Sequence, residues 1–500
     1  MQEAKENNLR RSDSRPVSGR RDGSILVLAW LCLGGDKKHV GSQIEGLFKC
    51  ADVTDMRTVS LETRSRGAII VVYFSAPCAV IFSSACANLC HKCGWVELKE
   101  VAYAIVGFSE MFAQRTKWKL TPNKYARALE EIRSSGRTLI DLTVSNPTEC
   151  GLQYDSAAIL GAFQNPRALR YEPEAKGLLA ARGEVARYYW EDHGEKVDPE
   201  ALLLTTSTSE AYSYVFRLLC DPQDEVLVPK PSYPLFEFLG DLQDVTLVPY
   251  SLQYAQGWFI DFASIVGALT PRTKAILLVH PNNPTGSYVK PEELRRLNEI
   301  CRGRELALIV DEVFLDYGLS PGVARKSFVA NREALTFTLS GLSKIAALPQ
   351  MKVAWVATTG PEELTRAALE RLEIIADTYL SLNAPTQLAF PELFAQRRPL
   401  QAQLLPRILE NWNYLLGAIA ERRAYELLHA EGGWYAVLRV AGDTSRKDDE
   451  DLAIEIMQQA QVLVHPGHFY DFAGSDCLVL GLITRPRDFR EGISAMLAKT

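Results

Sequence analysis

Lys344 closes the segment Ser340-Gly341-Leu342-Ser343-Lys344, directly after the apolar run 335–339. An amine at the end of such a run is a candidate nucleophile or proton carrier, because burial and nearby positive charge bring a lysine pKa toward neutrality. Asp311 follows the apolar run 306–310 in the same way. A carboxylate there needs a partner, since burying a charge without one is costly. Asn283 lies in His280-Pro281-Asn282-Asn283-Pro284-Thr285-Gly286, after the run 275–279. The prolines keep this loop out of helix and strand, so it can hold an amide donor in a fixed place. Tyr233 follows 225–229 within Lys230-Pro231-Ser232-Tyr233-Pro234, and Ser207, Thr208 and Ser209 follow 201–204. Hydroxyls and free N–H groups at the start of a helix can seat a phosphate. Each residue alone has a plainer reading as a helix cap, a surface charge or core filler. His280 reads as structural.

The elements that must position these groups are short apolar runs bounded by turn residues, at 201–204, 225–229, 245–249, 275–279, 306–310 and 335–339. Helix-like segments lie between several of them. One is 209–219; another is 291–302, with Pro291 in the first turn and Gly303 after the end. Strands apolar on both faces and alternating with helices indicate a mostly parallel sheet covered on both sides. Ligands in such sheets bind at the carboxyl ends of the strands. The hydroxyl cluster, ring, amide, carboxylate and amine all fall there. Together they meet the needs of pyridoxal phosphate: an amine for the aldehyde, a carboxylate for the ring nitrogen, a donor for the phenolic oxygen, a ring over its face and a phosphate cradle.

In order, the motifs are LTVSNPT (142–148), YEPEAKGLLAAR (171–182), TTSTSEA (205–211), PSYP (231–234), NNPTG (282–286), DEVF (311–314), SGLSK (340–344) and HPGHFYDF (465–472). Asn283 stands 28 positions before Asp311, and Lys344 stands 33 after it. Residues from about 110 to 500 thereby resemble the fold-type I, pyridoxal-phosphate-dependent aminotransferases of class I and II. The resemblance implies an α/β, aspartate-aminotransferase-like fold. A large domain of about 155–395 carries the mostly parallel sheet between helices, and a smaller α+β domain comes from about 109–150 plus 400–500. It implies Lys344 as the Schiff-base lysine, Asp311 on the ring nitrogen, Asn283 on the phenolic oxygen, Tyr233 stacked on the ring, and Ser207, Thr208 and Ser209 on the phosphate. Tyr171 matches a position that reaches the phosphate of a neighbouring subunit, which implies a homodimer. The expected reaction passes an amino group from an amino acid to a 2-oxo acid in a two-step ping-pong cycle. An eliminating enzyme of the same fold, such as a C–S lyase, is the alternative; a cofactor-sensing regulator is a third reading.

Three positions depart from the family pattern. Phe314 replaces a common tyrosine, which leaves Asn283 alone on the phenolic oxygen unless Tyr317 or a water substitutes. Lys352 stands where an arginine usually holds the phosphate; it keeps the charge but not the two-pronged geometry. Most consequentially, 478–484 contains no arginine to grip the substrate's α-carboxylate, so Arg485 or Arg487 is expected to substitute, with Ser145 as a further candidate substrate contact.

The chain has 500 residues, 47% hydrophobic and 23% charged, with a net charge of −6. That balance gives no reason to expect nucleic acid as a partner, and 1–108 shows no basic helix pair of the DNA-binding kind. Single cysteines scattered after residue 93 suit a reduced, cytoplasmic protein rather than a disulfide framework. Residues 1–108 read as an extension of unknown function, with 1–23 disordered. The stretch 67–90 is uncharged and long enough for a membrane span, but Pro77 and its Ser and Cys content weigh against one. Cys86, Cys90 and Cys93 have a metal-binding spacing, yet their apolar flank favours chance, and no metal is expected.

Overall fold

The computed structural model describes residues 111–319, 325–440, 448–474 and 476–499, together with strands at 24–31, 58–64 and 67–75. The strands that precede residue 112 belong to a unit of their own. Its strands β1 (Ser24–Leu31), β2 (Thr58–Arg64) and β3 (Gly67–Ser75) make an antiparallel sheet in the order β1-β3-β2. The first nine residues of the uncharged stretch 67–90 are therefore strand β3. Residues 1–23, the rest of that stretch and the cysteine cluster 86–93 lie outside the described residues. No described helix is long and apolar enough to cross a membrane.

The remainder is built on two main sheets. A short strand, β4 (Ile140–Asp141), precedes the larger one. The larger sheet comprises β5 (Leu202–Thr205), β6 (Glu225–Lys230), β7 (Thr246–Tyr254), β8 (Trp258–Ile260), β9 (Thr273–Val279), β10 (Ala307–Asp311), β11 (Thr336–Gly341) and β12 (Ala354–Thr359). Its order is β5-β12-β11-β10-β9-β6-β7-β8. The run β11-β10-β9-β6-β7 is parallel, whereas β12 runs antiparallel to both neighbours and β8 antiparallel to β7. β5, β9, β10, β11 and β12 are almost wholly buried, as strands covered on both faces must be.

Register decides where the site forms. Asp311, the last residue of β10, pairs with Val279 at the end of β9 and with Leu339 on β11. The loop 280–286, Asp311 and the segment leading to Lys344 therefore leave the sheet at one edge. The helix Pro291–Arg304 begins at the expected proline but runs past Gly303, and Glu305 ends it in the left-handed region at φ +56°.

The smaller antiparallel sheet contains β13 (Tyr425–Leu427), β14 (Tyr435–Val440), β16 (His465–Pro466) and β17 (Cys477–Gly481), in the order β13-β14-β17-β16. Strand β15 (Val462–Leu463) pairs in parallel with β4, so residues near 140 fold with residues near 460. The long helix Arg397–Ile419 links the two sheets in sequence.

Candidate active site

At the sheet edge, Asp311 is buried. Its Oδ2 accepts a hydrogen bond from Tyr212 Oη at 2.9 Å, and its Oδ1 accepts one from Val313 N at 3.0 Å. Burial pushes its carboxyl up to about 6, against the two hydrogen bonds and the Lys344 charge. Lys344 belongs to the short helix Leu342–Ile345. Its Nζ donates to Ser145 O at 3.4 Å and lies 4.9 Å from the Trp434 ring and 5.8 Å from the Phe314 ring. Burial lowers its pKa to about 8, with Asp311 opposing. The backbone of this helix is held independently: Tyr317 Oη donates to Lys344 O at 2.6 Å, and Gln401 Nε2 to Ile345 O at 2.9 Å.

The stiff loop gives its two asparagines different work. Asn282 Nδ2 donates to Pro231 O and Thr285 Oγ1, and its Oδ1 accepts from Ser232 Oγ, so it ties neighbouring loops together. Asn283 is buried with its Oδ1 unpartnered. A buried amide oxygen without a partner is unusual enough to require an explanation. His280 is structural: its Nδ1 accepts from Val289 N at 3.0 Å, its Nε2 faces Lys326 O at 3.2 Å, and burial drives its pKa down to about 3. Tyr233 stands edge-on to Phe236 near this rim. Ser207 caps the helix Thr208–Leu219, its Oγ accepting from Glu210 N, while Glu210 reaches back to Thr206 N and Oγ1. Lys352 is exposed in the left-handed region, and Tyr171 is 81% exposed.

Opposite the sheet edge lies a wall that the motifs do not announce. Gly432-Gly433 threads between two loops: Gly432 N donates to Gly286 O at 2.9 Å and Gly433 N to Tyr317 O at 2.7 Å. A Cβ on Gly432 would sit 2.7 Å from the Tyr288 ring and 2.8 Å from Tyr317 O. That tight passage delivers Trp434, which packs edge-on against Phe314 and Tyr317. On the far side, Gly481 N donates to Leu142 O at 2.6 Å, and a Cβ on Gly481 would meet Val144 O at 2.5 Å. This close approach carries Ser145 to Lys344. Burial pushes the neighbouring Tyr435 hydroxyl up to about 12, with a hydrogen bond to Ser145 opposing.

The geometry also separates the two arginines expected near the C-terminus. Arg485 lies against Gly151, where a Cβ would be 2.8 Å from its Nε. Arg487 is the second residue of the final helix, Pro486–Lys499, and makes no side-chain hydrogen bond or ion pair among the described residues.

Comparison with known proteins decides what this constellation belongs to. The family described as aminotransferase class I and II matches residues 137–478. The chain belongs to that family. It is a pyridoxal-phosphate-dependent aminotransferase. Similar curated proteins include an alanine aminotransferase of Mycobacterium tuberculosis, 27% identical over 372 residues that cover 73% of this chain and 86% of that one. A glutamate-pyruvate aminotransferase, AlaA, of Escherichia coli is 26% identical over 377 residues, 74% of this chain and 92% of its own. Among solved structures, an Escherichia coli aminotransferase superposes with a TM-score of 0.65 at 25% identity, covering 75% of this chain and 93% of that one.

The donor set of this aminotransferase fits its cofactor. It offers an amine of lowered pKa, a buried carboxylate supported by two donors, a buried asparagine whose Nδ2 donates to no described residue, an aromatic ring and a hydroxyl-rich helix start, all at one sheet edge. Tyr212, Trp434 and Tyr435 were not expected from the sequence, and Tyr317, weighed there as a substitute on the phenolic oxygen, spends its hydroxyl on Lys344 O. Tyr212 had a readable signal, since it sits four residues after Thr208 on the same helix face. Trp434 had none, because a Gly-Gly turn does not say which loops it will pass between.

Proposed function

We propose that the alanine–pyruvate couple is one of the two amino acid–oxo acid pairs this aminotransferase interconverts. Both kinds of curated relative support this reading, since one is named for alanine and the other for pyruvate. The observation that carries it is the position of Lys344 Nζ, 4.9 Å from the Trp434 ring and 5.8 Å from Phe314. Rings this near the reacting nitrogen suit a short substrate side chain.

The bound cofactor supplies an electron sink for the charge left when the substrate Cα loses its proton. Lys344 would hold the cofactor through its amine and, once released, would take up and return the substrate Cα proton. Burial favours this, because a lysine near 8 has an appreciable neutral fraction at neutral pH. Asp311 pairs with the ring nitrogen, and Tyr212 orients its carboxylate. Asn283 donates to the phenolic oxygen without a second side chain, because Phe314 has no hydroxyl and the Tyr317 hydroxyl is spent on Lys344 O. Tyr233 stacks on the ring. Ser207, Thr208, Ser209 and the helix start hold the phosphate, with Lys352 adding charge.

Residues of about 155–395 form the large domain, and about 109–150 with 400–500 the small one. Leu160, Leu169, Tyr171 and Leu179 expose apolar surface, which supports a homodimer in which Tyr171 reaches the partner's phosphate site. Free thiols at Cys150, Cys220, Cys301 and Cys477 are consistent with a cytoplasmic location. The test is the visible spectrum of the holoenzyme before and after adding single amino acids. Alanine should convert the cofactor to its amine form and release pyruvate, and Lys344→Ala should lose the lysine-linked absorbance. A wild type that answers other amino acids but not alanine refutes the couple.

A further inference from the structure

We infer that Gln401 is a positioning residue for Lys344, with the buried Asp316 carboxylate as its foothold, an assignment that rests on Lys344 being the reactive amine. Lys344 stands on a helix of four residues, Leu342–Ile345. So short a helix cannot hold itself, because its last carbonyls lack partners within the helix and a single turn is costly to nucleate. The chain does not extend it, since Ala347 turns away in the left-handed region at φ +50°. Side chains from elsewhere take up the carbonyls instead. Tyr317 Oη donates to Lys344 O at 2.6 Å, Gln401 Nε2 to Ile345 O at 2.9 Å and Tyr154 Oη to Ala347 O at 2.9 Å.

Gln401 differs from the two tyrosines in what stands behind it. A hydroxyl has one hydrogen to give, whereas an amide NH₂ has two. The second goes to Asp316 Oδ2 at 2.7 Å. The other oxygen of that carboxylate, Oδ1, accepts from Tyr188 Oη at 2.9 Å and faces His193 Nε2 at 3.2 Å. Tyr188 and His193 both belong to the helix Leu179–His193. Burial works to raise the Asp316 carboxyl, but the bonds from His193, Gln401 and Tyr188 hold it below its ordinary value. Asp316 is thus a buried anion fixed by three donors, and hydrogen bonds to a charged acceptor are the strong ones.

The amide therefore ties three elements to the carbonyl next to Lys344: its own helix Arg397–Ile419, the turn after β10 and the helix Leu179–His193. Asp316 and Tyr317 are neighbours, so one turn fixes two successive carbonyls, Lys344 O directly and Ile345 O through Gln401. The amine itself has a long hydrogen bond, 3.4 Å to Ser145 O, so the backbone that carries it sets its place. A shift of that backbone moves the amine relative to everything it must reach, and a misplacement of about 1 Å costs on the order of 100-fold in rate.

The experiment mixes apoprotein with pyridoxal phosphate and, separately, with pyridoxine phosphate, which carries an alcohol in place of the aldehyde and so binds without linking. In linkage, Lys344 Nζ joins the aldehyde carbon, and the two hydrogens of the neutral amine leave with the aldehyde oxygen as water, so no oxidant or reductant is needed. In Gln401→Met the lysine-linked absorbance should develop roughly 10- to 100-fold more slowly at saturating cofactor, with kcat for alanine lowered by a similar factor. KM for alanine and the dissociation constant of pyridoxine phosphate should stay unchanged. Gln401→Asn keeps an amide at this half-buried position but is one methylene too short to span Asp316 and Ile345 O, so it should fold and slow in the same way. Gln403→Met is the matched control: it lies on the same helix, but its Nε2 donates to Gln153 O and Pro399 O, so it should link at the wild-type rate. Wild-type linkage in both Gln401 variants overturns the proposal. So does equal slowing in Gln403→Met, or slowing accompanied by weaker pyridoxine phosphate binding, which would make Gln401 a support of the whole pocket. Lys344→Ala separates the two readings. If it still develops the lysine-linked absorbance, the role of Lys344 falls; if it does not while both Gln401 variants link normally, only the positioning assignment falls.

Discussion

The two sides of this site are assembled by different means. The cofactor side is a row of strand ends: β9, β10 and β11 finish in register, and Asn283, Asp311 and Lys344 each leave the sheet within a few residues of its edge. Parallel-sheet geometry does most of the placement there. The substrate side has no such frame. Ser145, Trp434, Tyr435 and Arg485, the groups proposed or expected to face the substrate, come from a strand-flanking loop, a Gly-Gly turn, a small-sheet strand and a chain segment after β17. They meet through backbone contacts between residues hundreds of positions apart, such as Gly481 N on Leu142 O. Redundant positioning should make the cofactor side tolerant in binding but unforgiving in chemistry. The substrate side should respond chiefly in KM.

Asp311→Asn gives the largest expected effect. It keeps the shape of the side chain and a partner for Tyr212 but removes the charge proposed to face the ring nitrogen. Loss of one preorganised electrostatic contact predicts a fall in kcat of roughly 100- to 1,000-fold with little change in KM. Steady-state kinetics with alanine would check it, and a KM effect alone would erase the division between the two sides.

Gly151→Ala is the matching change on the substrate side. The added Cβ meets the Arg485 guanidinium at 2.8 Å and forces an alanine into φ +69°. The backbone cost is about 1 kcal/mol, and Arg485 must move. The expected outcome is a roughly tenfold rise in KM, with kcat and the cofactor absorbance preserved. A loss of kcat without a KM change would mean that the segment 146–151 serves the chemistry itself.

The same contrast explains what was legible in the sequence. Strand ends followed by Asn, Asp and Lys can be read because local chain order and sheet register bring them together. The antiparallel course of β12 could not be read, since an apolar strand looks alike in either direction. Gly303 looked like a helix stop, but packing carried the helix on, and Glu305 took the left-handed turn instead.

The smallest expected effect concerns the cost of keeping Lys344 ready. Without cofactor its ammonium is buried, and its pKa falls from 10.5 to about 8. The unfolded chain then binds more protons than the folded one between these values. Stability therefore carries its full penalty below about 8 and recovers as pH rises toward 10.5. Lys344→Met removes the group from both states. The apo variant should be more stable than apo wild type at pH 7, and the gap should narrow between pH 8 and pH 10. Urea unfolding of the two apoproteins across that range measures it. A gap that stays constant with pH would place the strain in packing against Trp434 and Phe314 rather than in the buried charge, and would make the cofactor-side lysine a shape constraint before it is a titrating one.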